Sequence, residues 1–398
     1  MMLTTAVKAG LPVVTVTTSD LLNFPDIVKF ECGKVPLPYN PKDKIQQGGL
    51  YWLRGSREHP ASLYEAAYGQ MAGAGATLIV VNPRKDSDVW FDAGEVPVPR
   101  KLVRSFLIKA LGDGVLIDMI MPTLGGLTLK DIGELIRLTM ARTGELTPSA
   151  VMATRRTCFN GLRGLTQVAT DQVHYDPPQF LADWVELERP FFLKASDPRL
   201  VPRGLLFDGQ PGTGKTAAAK YITERFGVPL YRADVGGMKG KYVGDSETGL
   251  SSVIARIDRE EPCLVLIDEV EKVFSMMITD SSGVTSSMMT QLLWWLQERT
   301  TRVLVLMTTN NRKKIPPELF REGRIDDSFV FDGFSDLDAA LAFCGFVLKG
   351  FAEVPHGTEA LVHQRVAELM SGIAEDGAIV HARLSKVVVD SIKQTLKS

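Results

Sequence analysis

The chain has 398 residues, room for roughly two or three domains at about 150 residues each. Hydrophobic residues make up 45% and charged residues 23%, enough apolar side chain for more than one core, which excludes a globally disordered chain. Lysine and arginine (45) nearly balance aspartate and glutamate (47), so the net charge of −2 offers no overall basic field for nucleic acid or an anionic membrane, although a local patch is still allowed.

The four cysteines, Cys32, Cys158, Cys263 and Cys344, lie far apart, with no C-x-x-C pair and no histidine at zinc-finger spacing, which points to a reducing compartment. Met1 to Val16 lacks the charged start and long apolar stretch of a secretory leader, and no window approaches about 18 uninterrupted apolar residues. The expectation is a cytoplasmic protein with no membrane partner.

In chain order, the first clear pattern is a β-α-β unit, with Gly49 to Leu53 as a strand, Pro60 to Gly73 as a helix and Thr77 to Val81 as a second strand. Gly55 to Pro60 lies between strand and helix, where a phosphate loop would sit, but it has no G-K-[ST] ending and no nucleotide is expected there. A Pro- and Gly-spaced stretch runs from Val96 to Gly126. Behind it Ile132, Leu135, Ile136 and Met140 recur at helical spacing over Leu127 to Thr143, with Thr128 suited to cap the helix. A second helix is predicted after Thr147, with Pro148 in its first turn. The pair is read as an ordinary helical subdomain with its own core or, alternatively, as a lid or interface.

Asp176-Pro177-Pro178 and Asp197-Pro198 punctuate the approach to Gly204, and the boundary is placed between residues 170 and 180. The predicted domains are 1–175, mixed α/β and helical; 176–335, an α/β core in which apolar strand-like runs alternate with helices; and 336–398, an all-helical lid broken at Pro355, Gly357 and Gly372.

The core carries the chemistry. Gly209-Gln210-Pro211-Gly212-Thr213-Gly214-Lys215-Thr216 matches G-x-x-x-x-G-K-[ST] in full, between the strand Leu205 to Phe207 and the helix Ala217 to Phe226. Its glycines let backbone N–H groups wrap phosphates, Lys215 neutralises β/γ oxygens and the Thr216 hydroxyl reaches Mg²⁺, so ATP and Mg²⁺ are the expected ligands. Downstream, the buried-strand run Cys263 to Ile267 ends in Asp268-Glu269, the Walker B pattern. Asp268 is assigned to the Mg²⁺ shell and Glu269 to orienting the attacking water as general base. A third strand, Val303 to Met307, ends in Thr308-Thr309-Asn310-Asn311, where a neutral amide can hold water or the γ-phosphate; Asn310 is the candidate sensor and Asn311 the alternative. Pro316 to Asp326 then places Arg321 and Arg324 three apart. In an isolated subunit such arginines are ordinary solvated charges.

Walker A, Walker B, T-N and L-F-R-x-G-R-I-D, in this order, resemble the AAA family of ATPases, closely over residues 186–335 and more loosely over the lid. The resemblance implies a P-loop NTPase (AAA+) parallel sheet with a C-terminal helical lid, preceded here by a mixed α/β domain. It further implies a homo-oligomeric ring, usually a hexamer, in which Arg321 and Arg324 reach a neighbour's site as arginine fingers. Lys241-Tyr242-Val243-Gly244 matches the family's first pore loop, where an aromatic and an aliphatic side chain grip extended peptide, and Ser275 to Ser287 falls where a second pore loop would lie. Gly377 to Leu384 resembles the second-sensor region, which makes Arg383 either a γ-phosphate contact or a lid surface charge. The layout is most similar to the AAA ATPases of cyanobacteria and plastids that carry a degenerate, non-binding ATPase-like half before the active one.

These features imply a ring ATPase that remodels, disassembles or threads a protein substrate. The alternatives are a nucleic-acid motor or loader, for which Lys239 and Lys241 beside the pore loop are the only local support, and a scaffold whose assembly is set by ATP binding. No H-E-x-x-H or G-x-S-x-G motif accompanies the ATPase motifs.

Overall fold

The alternation of apolar residues along the strands determines which side of each sheet they feed. In the computed structural model, which describes residues 2–84, 88–158, 164–170, 174–233, 245–278, 284–321, 323–372 and 377–397, the chain divides into two units, Met1–Leu146 and Thr147–Ser398. The division falls ahead of the boundary expected at 170–180. The helix after Thr147 is tied to the second unit by a buried ion pair, and long-range contacts of this kind leave no trace in local composition.

The first unit runs α1 (Met2–Lys8), β1 (Val13–Thr17), α2 (Phe24–Cys32), β2 (Leu37–Pro38), β3 (Leu50–Arg54), α3 (Ala61–Ala74), β4 (Thr77–Val81), β5 (Phe91–Glu95), α4 (Arg100–Leu111), α5 (Gly114–Ile120) and α6 (Leu129–Thr143). Its five strands are all parallel and lie in the order β2-β3-β4-β1-β5. Val14, Val16, Ile79 and Val81 point to one face, against Leu3 of α1 and Phe24, Ile27 and Val28 of α2. Val13, Leu78 and Val80 point to the other, against Tyr64, Ala67 and Met71 of α3. This period of two is what a parallel sheet covered on both sides requires. The expected β-α-β unit is β3-α3-β4, and Thr128 caps α6 by accepting the Asp131 N–H at 3.0 Å. Helices α4 and α5 occupy the stretch read only as Pro- and Gly-spaced. Val103 and Leu107 of α4 and Ile117 and Ile120 of α5 are buried at helical spacing, but in short runs between punctuating residues.

The second unit runs α7 (Pro148–Cys158), β6 (Leu165–Gln167), α8 (Gln179–Lys194), β7 (Gly204–Asp208), α9 (Lys215–Phe226), β8 (Leu230–Ala233), α10 (Asp245–Arg259), β9 (Cys263–Ile267), α11 (Val270–Ile278), α12 (Val284–Glu298), β10 (Val303–Thr309), β11 (Asp327–Val330), α13 (Leu337–Lys349), α14 (Thr358–Ser371) and α15 (His381–Thr395). Its sheet has the order β11-β7-β10-β9-β8-β6, parallel except for β6, which pairs antiparallel with β8. Cys263, Val265 and Ile267 of β9 and Val303, Val305 and Met307 of β10 pack toward α10, α11 and α12. The intervening Leu264, Leu266, Leu304 and Leu306 pack toward α8 and α9. At about 1.5–3 kcal/mol for each fully buried aliphatic side chain, these central strands hold the sheet. Arg155 of α7 is buried and ion-paired with Glu260, which also accepts the Tyr231 hydroxyl at 2.7 Å. Helices α13, α14 and α15 close a separate small core around Cys344, Val366 and Val388. Among the described residues, no helix is long and apolar enough to cross a membrane.

Leaving β6 aside, the strands of both units counted in their own chain order are arranged alike: fifth, first, fourth, third, second. Each sheet follows a leading helix, and each is followed by three helices. In the first unit, therefore, the loop that corresponds topologically to the one after β7 is the loop after β1, not Gly55 to Pro60.

Candidate functional site

Residues 209–216 connect the C-terminal end of β7 to α9, so the loop and the helix N-terminus meet at the carboxyl edge of the sheet, where open α/β folds place ligands. Two glycines are sterically required. A Cβ on Gly209 would sit 2.2 Å from the Phe331 carbonyl oxygen, and one on Gly212, at φ +87°, would sit 3.0 Å from the Ala382 side chain. The Lys215 ammonium folds onto the loop, donating to the carbonyls of Gly209 (2.6 Å) and Gln210 (2.9 Å) and to Asn310 Oδ1 (3.0 Å). Burial lowers its pKa, opposed by Asp208, Asp268, Glu271 and Glu269. Only 7% exposed, the ammonium sits in a cradle that favours a polyanion, which would replace its carbonyl partners.

The ends of β9 and β10 bring the acidic residues to the same place. Thr308 Oγ1 donates to Asp268 Oδ1 at 2.5 Å and accepts the Glu269 N–H at 2.9 Å. Glu269 takes a left-handed backbone, φ +52°. Its carboxylate accepts from Lys272 Nζ at 2.5 Å and from Asn310 Nδ2 at 3.3 Å. Asn310 thus spans the phosphate-loop lysine and the glutamate, while its own N–H donates to the buried Glu271 at 3.2 Å. Asn311 is exposed and its N–H goes to Thr309. Thr308, Glu271 and Lys272 escaped sequence reading. Thr308 stood in the strand ending already singled out, but nothing in the spacing shows that its hydroxyl bridges two strands.

A cavity of about 660 Å³ joins these groups. Its lining combines the polar groups of Lys215, Thr216, Asp268, Glu269 and Asn310 with the rings of His174, Tyr175, Phe343, Phe346 and His381. His174 stacks flat on Phe346, centroids 3.8 Å apart, and its Nε2 is 2.7 Å from the Phe346 carbonyl oxygen. The cavity therefore offers both polar groups suited to a polyphosphate and rings on which a base could stack. Thr216 and Asp268 are hard oxygen donors of the kind Mg²⁺ takes, so the residues present fit a Mg-nucleotide.

The remaining sequence candidates separate. Pro211, Gly212 and Gly214 line the cavity with Lys215, whereas Thr213 is buried and its hydroxyl donates to the Gln210 carbonyl at 2.9 Å. Arg321 is exposed, but Arg324 is 9% exposed and folded inward, bonded to the Glu318 carbonyl at 2.5 Å and to Gln297 at 3.1 Å. Arg383 is exposed and not among the lining residues; α15 lines the cavity with His381, Ala382 and Ser385 instead. Lys241, Tyr242 and Val243 lie outside the described residues. Of the segment 275–287, α11 extends to Ile278 and α12 starts at Val284, with 279–283 outside the described residues.

In the first unit the loop after β1 reads Thr18-Ser19-Asp20-Leu21-Leu22-Asn23, without glycine or lysine. Asp20, 1% exposed, fills its interior. One carboxylate oxygen accepts the Asn23 N–H and side-chain amide at 3.1 and 2.9 Å, and the other accepts the Leu129 N–H, at the start of α6, at 2.7 Å. Asn82, directly after β4 as Asn310 is directly after β10, pairs with both the N–H and the carbonyl of Thr18.

A parallel sheet with a complete phosphate loop, a paired acidic strand end and a three-helix lid defines the class: a P-loop nucleoside triphosphatase core. Residues 205–332 match the ATPase family associated with various cellular activities (AAA). The chain therefore carries a AAA ATPase domain. It is 36% identical over 160 residues to an uncharacterized AAA domain-containing protein ycf46 of Guillardia theta, covering 39% of this chain and 31% of that one. The protein of the same name from Pyropia yezoensis is 28% identical over 246 residues, 59% of this chain and 50% of that one. An ATP-dependent zinc metalloprotease FtsH from Aster yellows witches'-broom phytoplasma is 27% identical over 147 residues, 37% of this chain and 20% of that one. The chain thus spans between about a third and a half of the length of the ycf46 relatives it matches.

Proposed function

We propose that the chain hydrolyses Mg-ATP and uses the turnover, as a homo-oligomeric ring of about six subunits, to remodel a protein substrate. The observation that carries the catalytic part is the Lys215–Asn310–Glu269 connection in a cavity that is also lined by rings suited to a base. Thr216 and Asp268 would hold Mg²⁺, which when bound neutralises charge on the phosphates. Lys215 leaves its loop carbonyls for the β/γ oxygens. Asn310, released from Lys215 on one side, keeps its amide on Glu269 and orients the water. Glu269 takes the proton of that water as its oxygen bonds to the γ-phosphorus and the bond to the β-phosphate oxygen breaks, leaving ADP and inorganic phosphate. Lys272 and Thr308 hold Glu269 at its two ends, side chain and backbone, which suits a base that must not swing away between turnovers.

Exposed Arg321 is the better placed of the two arginines to act on a neighbouring subunit. A protein substrate is favoured over nucleic acid by Tyr242-Val243 in the pore-loop motif, by the near-neutral charge and by the similarity to a protein named as an ATP-dependent protease. We further propose that the first unit is an ATPase-like fold that binds no nucleotide and serves as the docking half, because Asp20 supplies internally the anion that a phosphate would bring.

The test combines light scattering of Glu269→Gln, with and without Mg-ATP, with steady-state turnover of the parent chain in the presence of unfolded polypeptide or single-stranded DNA. A shift to about six subunits and stimulation by polypeptide are expected. Stimulation by DNA alone would replace the protein substrate with a nucleic acid, and Tyr242→Ala retaining full remodelling would remove the threading step.

A further inference from the structure

The lid faces the cavity without a cation from α15, because Arg383 is exposed and does not line it. What α15 brings is His381, its first residue. The imidazole packs against two rings that also contact each other, Phe334 at 4.4 Å and Phe343 at 4.9 Å and 78°. Phe334 sits at the junction of core and lid, where its N–H and carbonyl exchange hydrogen bonds with Ile379 at 2.8 and 2.9 Å. Phe343 belongs to α13. The residue after His381, Ala382, donates its N–H to the Gly212 carbonyl of the phosphate loop at 2.9 Å. One side chain therefore touches the hinge and the lid, lines the nucleotide cavity and adjoins the one residue of α15 bonded to the phosphate loop.

The His381 Nδ1 atom is buried and has no hydrogen-bond partner. An unpaired buried polar atom is a cost that persists only where something else is gained. Burial also lowers the pKa of the ring, which favours its neutral form. The titratable groups sharing the cavity are His174, Tyr175, Asp176, Lys215, Asp268 and Glu269. Asp332 and Asp336 flank Phe334, α13 carries no charged residue from Ala339 to Leu348, and on α15 the nearest charges are Arg383 and Lys386, both exposed.

Resting on the reading of this cavity as the nucleotide site, we propose that His381 is the positioning residue through which the lid senses nucleotide. Its imidazole takes up a proton as polyphosphate settles on the neighbouring loop, and the new charge, held against Phe334 and Phe343, sets the position of α15 on the hinge. Negative charge arriving near a neutral, desolvated imidazole favours its charged form, and adjoining aromatic rings can accommodate a cation. By linkage, a ligand that raises a group's pKa binds more tightly as pH falls through the range between the free and bound values. Nucleotide affinity thus rises toward lower pH, and the rise belongs to this ring.

The experiment is calorimetric titration of the full chain with Mg-ADP in buffers of differing ionisation enthalpy, for the parent, His381→Phe and His381→Gln. Between about pH 8 and pH 6 the parent should gain about fivefold or more in affinity beyond what His381→Phe gains, with net proton uptake that both variants lose. Equal pH dependence and equal proton uptake in parent and variants would overturn the proposal while leaving the nucleotide site intact. Failure of the parent chain to bind Mg-ADP at any pH would instead remove the site itself. Should both variants misfold, histidine-ring NMR of the parent decides: an imidazole whose titration moves to higher pH on adding Mg-ADP supports the proposal, and unchanged titration of every ring refutes it.

Discussion

The two sheets of this chain share a strand order and differ in the loop after the first strand of each. After β7, glycines free the backbone and Lys215 reaches across to Asn310. After β1, a loop with neither glycine nor lysine closes on itself through Asp20, and Asn82 binds that loop's backbone directly. The asparagines occupy equivalent ends of the fourth strands, yet one meets a lysine ammonium and the other a peptide group. Strand order builds the shelf, and the chemistry depends on whether the loop leaves room for a guest anion or supplies its own.

Substitutions in the two loops test that contrast. The largest effect is expected from Lys215→Ala, which should weaken Mg-ATP binding at least about a hundredfold. Equilibrium titration should give one nucleotide per parent chain and none in the variant, and residual stoichiometric binding would place a second site in the first unit. Glu269→Gln should keep nucleotide affinity and lose about 10²–10⁴-fold in turnover, read by single-turnover phosphate release.

In the first unit, Asp20→Ala strands three N–H donors and should lower its stability by about 1–3 kcal/mol, with faster amide exchange at Leu129. Asp20→Asn, which keeps an acceptor, should lose less, and an unchanged exchange rate in Asp20→Ala would dismiss the idea that a carboxylate substitutes for phosphate. Arg324→Ala removes two hydrogen bonds from a buried guanidinium and should cost about 1–3 kcal/mol in denaturant unfolding, whereas Arg321→Ala should leave stability unchanged and slow turnover. If the Arg321→Ala chain suffers no cross-subunit loss when mixed with Glu269→Gln, that arginine does not act in trans. The smallest effect is expected from Arg383→Ala, with Mg-ADP affinity within about twofold of the parent, because its side chain is exposed and does not line the cavity.

Much of the second unit was legible because its signals are local. A parallel strand buried on both faces is an unbroken apolar run, as in Cys263 to Ile267, and a phosphate loop is contiguous because one turn must both free the backbone and open a helix. The first unit was legible only in pieces. β3, α3 and β4 carry clear periodicity, but β2 spans two residues, and α4 and α5 hide between Gly and Pro punctuation. The loop after β1 has no sequence signature because its Asp20 is satisfied by Leu129, far along the chain.

The residue types at the candidate nucleotide site are written in the sequence: glycines where a side chain would collide, a lysine and threonine opening a helix, and two carboxylates closing a buried strand. Only the tertiary structure decided their neighbours. It set Thr308 between Asp268 and Glu269, turned Arg324 inward while leaving Arg321 outside, put His381 rather than Arg383 at the cavity, and brought Asp20 to the start of α6. The physical reason is the range of the interactions. Backbone geometry and strand burial act within a few residues and must be written contiguously, whereas a hydrogen bond or ring contact between distant elements is specified by packing and leaves its two ends looking ordinary.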